Sequence, residues 1–326
     1  MSASAFNLDV LSLGAGVQST TMALLAADGV LPKPDVALFA DTGWEPQQVM
    51  EHLAQLTPVL EAAGIPVQIV QEGNLRADAL DLDKPIKVPA FVKNPDGSQG
   101  KQMRSCTDRY KLRPIRAAIR ERLGARPTVE TSCAACAGIG SRVAPWRAKR
   151  GDHTVGVCSV CDGEAVLTRF GPPPTGSSAR VWIGISTDEA SRASDRGPGY
   201  ARPWHPLLEL NMSRVQCVDY LTSRGWGSTP KSACIGCPFH GNAMWRDMRD
   251  RDPHSWADAV EFDTAFRHDP GLRGELYLHR SLLPLSVAPI DRLEPKEWRE
   301  AQMDLLDMLF DPDGCSPYGC RSGEPT

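Results

Sequence analysis

The stretch Leu11-Ser12-Leu13-Gly14-Ala15-Gly16-Val17-Gln18-Ser19-Thr20 joins a short apolar strand, predicted at residues 10–12, to a helix predicted at residues 19–27. Its small residues allow backbone N–H groups to approach phosphate oxygens, and the helix N-terminus adds a favourable dipole. Tight turns also require glycine for backbone reasons alone. The stretch therefore predicts an anion cradle only if other segments of the chain support one.

Strands and helices alternate along much of the chain. The further predicted strands lie at residues 36–40, 67–70 and 181–186. The further predicted helices lie at residues 46–63, 108–123, 213–223, 242–249, 255–267 and 295–310. Residues 71–103 are polar and are predicted to form loops. The pattern predicts an α/β fold, with a parallel sheet that carries helices on both faces and a mainly helical C-terminal part.

Composition narrows the class of protein. The chain has 326 residues, of which 41% are hydrophobic and 23% are charged, as is typical of a soluble globular protein. Its apolar runs are far shorter than the roughly 20 residues of a membrane helix, and its N-terminus lacks the pattern of a secretory signal. We therefore expect a cytoplasmic protein with no membrane partner. The net charge of -4 argues against a basic coat, but residues 101–126 contain nine Lys or Arg and two acids, which favours an anionic ligand.

Four further segments give the glycine-rich stretch a specific context. Phe39-Ala40-Asp41-Thr42-Gly43-Trp44-Glu45 follows the second predicted strand, where parallel sheets place ligand-binding loops. Arg104-Ser105-Cys106-Thr107-Asp108-Arg109-Tyr110-Lys111-Leu112-Arg113-Pro114-Ile115 brings a cysteine and several cations to one helix start. The later segments are Gly184-Ile185-Ser186-Thr187-Asp188-Glu189 and Trp204-His205-Pro206-Leu207. In this order the segments resemble the phosphoadenosine phosphosulfate (PAPS) reductases and related PP-loop ATP pyrophosphatases of the adenine nucleotide alpha-hydrolase superfamily.

The resemblance implies a Rossmann-like sheet and an adenine nucleotide ligand, either ATP with Mg²⁺ or PAPS or adenosine phosphosulfate (APS). It implies nucleotide contacts from Ser12, Gly14, Gly16, Gln18, Ser19, Asp41, Thr42, Gly43, Arg104 and Arg109. It also implies catalytic roles for Cys106, Lys111 and Cys320. The chain departs from the pattern in two places. The glycine-rich stretch lacks the Lys and the Asp of many relatives that cleave ATP, and Cys106 stands alone where cluster-bearing reductases have adjacent cysteines.

Four of the ten cysteines have the spacing of a structural zinc site. The first knuckle lies in Cys133-Ala134-Ala135-Cys136-Ala137-Gly138-Ile139-Gly140, and 21 residues separate its Cys136 from the second knuckle, Cys158-Ser159-Val160-Cys161. Two C-x-x-C knuckles supply the four thiolates that structural zinc prefers, and a redox pair is the alternative. The knuckles resemble the zinc-binding region of the DnaJ chaperones. We expect a zinc-binding insertion that contacts a macromolecular partner.

A second group of cysteines favours a different metal. Lys231-Ser232-Ala233-Cys234-Ile235-Gly236-Cys237-Pro238-Phe239-His240 contains a further C-x-x-C. With Cys106 it would give three thiolates for a 4Fe–4S cluster that leaves one iron open, although zinc fits two of these thiolates as well. The candidates for a fourth ligand are Cys217, Cys315, Cys320 and His240. Cys217 is also explained as a buried apolar residue, and the tail that carries Cys320 as a dispensable end.

These observations divide the chain into four parts. They are residues 1–125, the first part of a nucleotide-binding PP-loop domain; 126–178, the zinc-binding insertion; 179–240, the continued α/β domain with its C-x-x-C; and 241–326, a helical region with a cysteine-containing tail.

Three functions remain open from the sequence. The favoured one is an ATP-dependent sulfurtransferase that adenylates a tRNA or DNA acceptor and receives sulfur from a donor such as a cysteine desulfurase. The second is reduction of PAPS or APS to sulfite with a thioredoxin-like reductant, a reaction in which Cys320 or Cys315 would attack the sulfonyl sulfur. The third is a non-catalytic, metal-stapled protein that binds nucleic acid. The zinc insertion and the basic segment favour the first function over the second.

Overall fold

We analysed a computed structural model of the chain. The structure describes residues 6–81, 88–102, 105–130, 136, 139–143, 155–158, 167–269 and 272–293. The strands are β1 (Leu8–Ser12), β2 (Val36–Asp41), β3 (Val67–Gln71), β4 (Ala90–Lys93), β5 (Gln99–Gln102), β6 (Pro127–Glu130), β7 (Ser141–Val143), β8 (Val155–Val157), β9 (Leu167–Phe170), β10 (Ala179–Trp182), β11 (Ala201–Trp204) and β12 (Glu275–Tyr277). The α-helices are α1 (Val17–Ala27), α2 (Gln47–Ala62), α3 (Leu75–Leu80), α4 (Arg113–Arg122), α5 (Pro206–Glu209), α6 (Arg214–Ser223), α7 (Asn242–Arg251) and α8 (Pro253–Ala265).

Five strands form a parallel sheet in the order β11-β10-β1-β2-β3. Val10 at the centre of β1 pairs with Val181 on one side and with Val36 on the other. The chain fills the sheet outward from β1, first toward β3 and then toward β11. The order in which strands are added to the sheet therefore reverses between β1 and β10. In open parallel sheets, ligands bind at the carboxyl ends of the strands at such a reversal.

Helices cover both faces of this sheet, as the alternation of strands and helices predicts. Val10 packs in one apolar cluster with Ile119 of α4. The next residue, Leu11, packs in the opposite cluster with Leu24 of α1 and Leu56 of α2. Successive side chains of a strand point to opposite faces, so the buried run in β1 feeds two cores. The predicted α/β fold with a parallel sheet is confirmed.

The prediction that residues 71–103 form loops is wrong. They contain α3, which Asn74 caps by accepting a hydrogen bond from the Ala77 amide, and the hairpin β4–β5. The hairpin pairs with β12, so the C-terminal region is not purely helical. Ala90 and Val92 are buried while Lys93 is exposed. This short alternation indicates a strand, but the polar residues around it conceal the signal.

Two other predicted elements differ in extent. The helix predicted at residues 108–123 starts as a π-helix at Thr107–Leu112 before α4 begins. The strand predicted at residues 181–186 already ends at Trp182, because Gly184 lies against α1 instead of continuing the sheet: a Cβ on Gly184 would lie 3.1 Å from the Ser19 nitrogen. The helix predicted at residues 295–310 lies outside the described residues.

Within the predicted insertion, β6 pairs with β9 and β7 pairs with β8, both antiparallel. In the part of the chain that the structure describes, no helix combines the length and the apolar character needed to span a membrane.

Candidate functional site

The glycine loop, residues 13–19, follows β1 and lies where the strand order of the sheet reverses. The amides of Gly14 and Gly16 both donate to Ser19 Oγ, each at 3.2 Å. Ala15 has a φ of 55° and is fully buried, so an alanine holds a left-handed conformation that usually favours glycine. Two backbone donors thus converge on one oxygen at the start of α1. An anionic oxygen could take the same position.

A segment far along the chain covers this loop. The covering segment, residues 230–237, approaches so closely that a Cβ on Gly14 would lie 3.1 Å from Ser232 Oγ. A Cβ on Gly16 would lie 3.3 Å from the Ser232 nitrogen. Both glycines are therefore required for close backbone approach. Ser232 adds a hydroxyl and an amide to the surroundings of the loop.

The same covering segment leads into a cavity that we call the thiol cavity. It encloses about 30 Å³, and its walls include Cys106, Cys234, Cys237, Thr42 and Lys111. The Thr42 hydroxyl is 3.4 Å from Cys234 Sγ. The structure thus brings the three cysteines of the second group to one cavity at the carboxyl end of β2, beside a buried lysine.

Glu45 contributes a carboxylate to this region. Its Oε1 atom accepts hydrogen bonds from Thr42 Oγ1 at 2.9 Å and from Cys234 Sγ at 3.6 Å. Its Oε2 atom is buried and has no hydrogen-bond partner among the residues that the structure describes. The thiol of Cys234 therefore lies beside a hydroxyl and a carboxylate.

The π-helix carries several predicted site residues into the same region, since Cys106 precedes it and Arg109 and Lys111 lie on it. Two of its polar atoms, Thr107 Oγ1 and Arg109 Nε, are buried without a hydrogen-bond partner among the described residues. Buried donors are almost always paired in proteins, so these two atoms could hydrogen-bond a ligand or an ordered water. Because π-helical turns are frequent at functional sites, we interpret this one as part of an anion site.

Gln18 and Asp41 both form hydrogen bonds with other residues of the protein. Gln18 donates to Glu189 Oε2 at 3.3 Å and accepts a hydrogen bond from Arg214 at 3.2 Å. Burial raises the pKa of Glu189, against the opposing effect of Arg192. Asp41 accepts from the amide of Gly43 at 2.7 Å and so stabilises the turn after β2. Gln18 belongs to the glycine loop, and Asp41 precedes Thr42 of the thiol cavity. Their hydrogen bonds, however, stabilise the protein itself.

Ser12, Thr42 and Gly43 lie at the ends of β1 and β2 as the resemblance implies. Ser12 and Thr42 are buried. Gly43 has a φ of 69°, and a Cβ there would lie 2.9 Å from Asn74 Nδ2, so the position requires glycine. Two residues that sequence reasoning did not select, Thr107 and Ser232, also reach the site. Each lies within a quoted segment, close to a selected cysteine, and that position is the signal that could have identified it.

The predicted zinc ligands are described only in part. Cys136 and Cys158 are both buried and both contact Gly140, whose amide donates to Cys136 Sγ at 3.3 Å and whose carbonyl accepts from the Cys158 amide at 2.9 Å. An amide that donates to a cysteine sulfur suits a metal-bound thiolate. Cys133 and Cys161, like Arg104 and Cys320, lie outside the described residues.

The thiol cavity also contains potential metal ligands, its three cysteines. Among the described residues, no three His, Cys, Asp or Glu side chains converge closely enough to hold a single metal ion. Three thiolates that do not converge on one point suit a cluster, in which each binds a different iron, better than they suit a single zinc ion. The volume of about 30 Å³ holds about one water molecule, so a cluster would require the walls to move apart. The three thiolates therefore suit a cluster as ligands, but the cavity in this structure is too small to hold one.

Comparison of the chain with protein-family models, with curated proteins and with solved structures finds no match.

Gly236, between the two cysteines of the C-x-x-C, should not tolerate a side chain. A Cβ there would lie 1.9 Å from the ring of Trp44. The ring is held in place by a hydrogen bond of 2.5 Å to Asp258 and by Phe262, whose ring centroid is 4.4 Å away. We expect Gly236→Ala to lower the free energy of unfolding by about 2–3 kcal/mol, measured by urea denaturation.

The matched control is Gly199→Ala, because a Cβ on Gly199 would contact nothing within 4 Å. That variant should unfold within about 0.5 kcal/mol of the parent chain. Equal stability of the two variants would show that Trp44 does not press against Gly236.

Proposed function

We propose that this protein is an enzyme that binds an adenine nucleotide at the glycine loop and uses it to transfer sulfur to a nucleic-acid acceptor. One observation carries the proposal. The covering segment contacts the glycine loop through Ser232 and lines the thiol cavity through Cys234, only two residues later. The glycine loop and the thiol cavity are therefore neighbours, which supports a reaction that couples nucleotide cleavage to sulfur transfer.

The proposed reaction has two stages. In the first, an oxygen of the acceptor attacks the α-phosphorus of ATP, and pyrophosphate leaves with the electrons of the broken P–O bond. The amides of Gly14 and Gly16, the Ser19 hydroxyl and the start of α1 would bind the phosphate oxygens. Arg109 and Lys111 would neutralise the negative charge that develops. Mg²⁺ would accompany ATP as a substrate ion.

In the second stage sulfur replaces the adenylated oxygen. A persulfide on Cys234, supplied by a sulfur donor such as a cysteine desulfurase, attacks the activated atom and AMP leaves. Cys237 or Cys106 then attacks the resulting disulfide, which releases the thiolated acceptor and leaves a protein disulfide. A thioredoxin-like reductant restores the two thiols. A 4Fe–4S cluster bound by Cys106, Cys234 and Cys237 would instead supply sulfide at an open iron.

The remaining parts of the chain have a place in this proposal. The sheet would be Rossmann-like, since its strand order and its reversal between β1 and β10 suit a nucleotide at the carboxyl ends. Zinc held by Cys133, Cys136, Cys158 and Cys161 would stabilise the insertion, which has too little apolar content to fold without metal. The insertion would then contact the tRNA or DNA acceptor.

The direct test uses protein purified without oxygen, ATP, radiolabelled cysteine, a cysteine desulfurase, a thiol reductant, and bulk tRNA or DNA. We expect formation of AMP and pyrophosphate that depends on nucleic acid, and label in the nucleic acid that resists mild reduction. Release of pyrophosphate without label would indicate adenylation alone. Absence of both would contradict the proposal.

A second function, reduction of PAPS or APS, is favoured by Thr107 Oγ1, a buried atom without a hydrogen-bond partner among the described residues, and by Lys111, since both residues line the thiol cavity and suit a sulfonyl group. A thiolate would attack the sulfonyl sulfur, the adenosine phosphate would leave, and a second thiol would release sulfite and form a disulfide. Sulfite formed from PAPS with a thioredoxin-like reductant, without label in nucleic acid, would select this function.

Ser19 provides a prediction about the nucleotide site. Its hydroxyl organises both loop amides, so Ser19→Ala should weaken ATP binding about tenfold, measured by titration calorimetry. Ser223→Ala removes an exposed hydroxyl that bonds only the carbonyl of Tyr220, and it should retain the parent affinity. Equal ATP affinity of the Ser19 variant and the parent would place the nucleotide elsewhere.

A further inference from the structure

A larger cleft lies on another side of the covering segment. It encloses about 720 Å³ between the first half of α2 and α7, and residues 227–231 also line it. This volume falls in the range of sites that bind small organic ligands, about 300–1,000 Å³. Lys231 and Ala233 line this cleft, whereas Ser232 contacts the glycine loop and Cys234 lines the thiol cavity. One short segment therefore separates the cleft from both parts of the site described above.

Asp252 gives the cleft an unsatisfied acceptor. It lines the cleft and is 8% exposed. Its Oδ1 atom caps α8 by accepting from the Ser255 amide at 3.0 Å. Its Oδ2 atom is buried and has no hydrogen-bond partner in the described part of the chain. A buried carboxylate oxygen without a donor is costly, so this oxygen indicates a ligand that donates a hydrogen bond.

The rest of the lining favours a flat, partly apolar ligand over a simple cation. Val49, Met244 and Met248 contribute apolar surface. His52, which hydrogen-bonds Thr20 at 3.0 Å, is neutral near pH 7 because burial lowers its pKa to about 4. The charged side chains that also line the cleft are Glu51, Asp247, Lys231 and Arg251. The methionine surface suits the face of a heterocyclic base. Among the described residues, no three His, Cys, Asp or Glu side chains converge closely enough to hold a metal ion.

We propose that the cleft binds a nucleobase that carries an exocyclic amino group, which donates to Asp252 Oδ2. This inference rests on the proposed function and names the kind of base that the nucleic-acid acceptor would place on the far side of the covering segment. A carboxylate accepts from the amino group of cytosine, adenine or guanine and repels the carbonyl oxygen that uracil and thymine present instead. The cleft would thus select amino-bearing bases and reject uracil and thymine.

Cytidine and uridine form a matched pair of probes, because they share the ribose and the ring and differ at one edge of the base. Cytidine presents an amino group and an acceptor nitrogen there, and uridine presents an oxygen and an N–H group. Binding to the full chain is measured by titration calorimetry, with short oligo-dC and oligo-dT as a second pair. Neither ATP nor a sulfur donor is present, so the result does not depend on sulfur transfer. We expect cytidine to bind at least about tenfold more tightly than uridine.

Asp252→Asn tests the assignment without removing the cap. The amide oxygen can still accept from Ser255, while the nitrogen replaces Oδ2 and donates instead of accepting. The cytidine preference should fall to about onefold or reverse. Asp250→Asn, at an exposed carboxylate that pairs with Arg249 outside the cleft, should retain the preference.

Tighter binding of oligo-dC than of cytidine would assign the base to a nucleic-acid strand, and equal binding would assign it to a free nucleoside. Absence of binding, a parent chain without preference, or a preference that survives Asp252→Asn would overturn the proposal. Sulfur transfer to nucleic acid in the absence of cytidine binding would leave the proposed function intact and reject only this cleft.

Discussion

Replacing Cys234 by alanine should lower the rate of sulfur transfer by about a thousandfold, the effect expected when a nucleophile is removed. Cys234 is the cysteine of the thiol cavity whose sulfur contacts both Thr42 and Glu45. It also follows the glycine-loop contact of Ser232 by two residues. The measurement is the initial rate of label transfer to nucleic acid, with ATP affinity determined in parallel.

Cys217→Ala is the matched control. Cys217 is fully buried in α6, and burial raises its pKa to about 12, so it remains a thiol that does not react. Its replacement should leave the transfer rate within about twofold, although removal of a buried side chain costs some stability. If Cys234→Ala transferred sulfur at the parent rate, the thiol cavity would not be the sulfur site. If the Cys234→Ala variant lost ATP affinity by the same factor as it lost transfer rate, Cys234 would act in nucleotide binding.

The sequence predicts the sheet and the glycine loop well because their signals are local. The apolar run of β2 is continuous, as expected for a strand buried on both faces, while β1 and β3 contain shorter apolar segments. Each of the three is followed by a turn or a helix start. The hairpin β4–β5 was not predicted, because its apolar residues are few and are covered by α8 and β12 from far along the chain. Tertiary packing decides such segments more than their own pattern does.

The candidate site shows the same division. Gly14, Gly16 and Ser19 could be selected from their spacing within one loop. The contact of Ser232 with that loop joins residues more than 200 positions apart, and no local pattern encodes it. Likewise, the buried unpaired atoms of Thr107, Arg109 and Asp252 become visible only when their surroundings are known. Polar satisfaction is a three-dimensional property. The charge of residues 101–126 could therefore indicate an anionic ligand, but no sequence pattern could show which polar atoms are left unpaired.

Asp263→Ala should lower the free energy of unfolding by about 3–5 kcal/mol, more than the other substitutions considered. Asp263 on α8 is 1% exposed. Its Oδ1 atom accepts from the Leu278 amide at 2.8 Å, its Oδ2 atom accepts from the Leu285 amide at 3.0 Å, and it forms an ion pair with Arg267. Alanine would leave two buried amides and a largely buried guanidinium without their acceptor.

Two further variants separate these contributions in urea denaturation. Asp263→Asn keeps one oxygen acceptor but loses the charge and the second acceptor, so its cost should lie between those of the parent and the alanine variant. Asp247→Ala removes a half-exposed carboxylate that pairs with Arg251 on the surface of α7, and it should cost less than about 1 kcal/mol. Because Asp263 fixes the segments after β12 to α8, its loss should also loosen Phe262 and Trp44, and with them the wall of the thiol cavity. A stable Asp263→Ala variant would show that these segments hold together without the buried carboxylate.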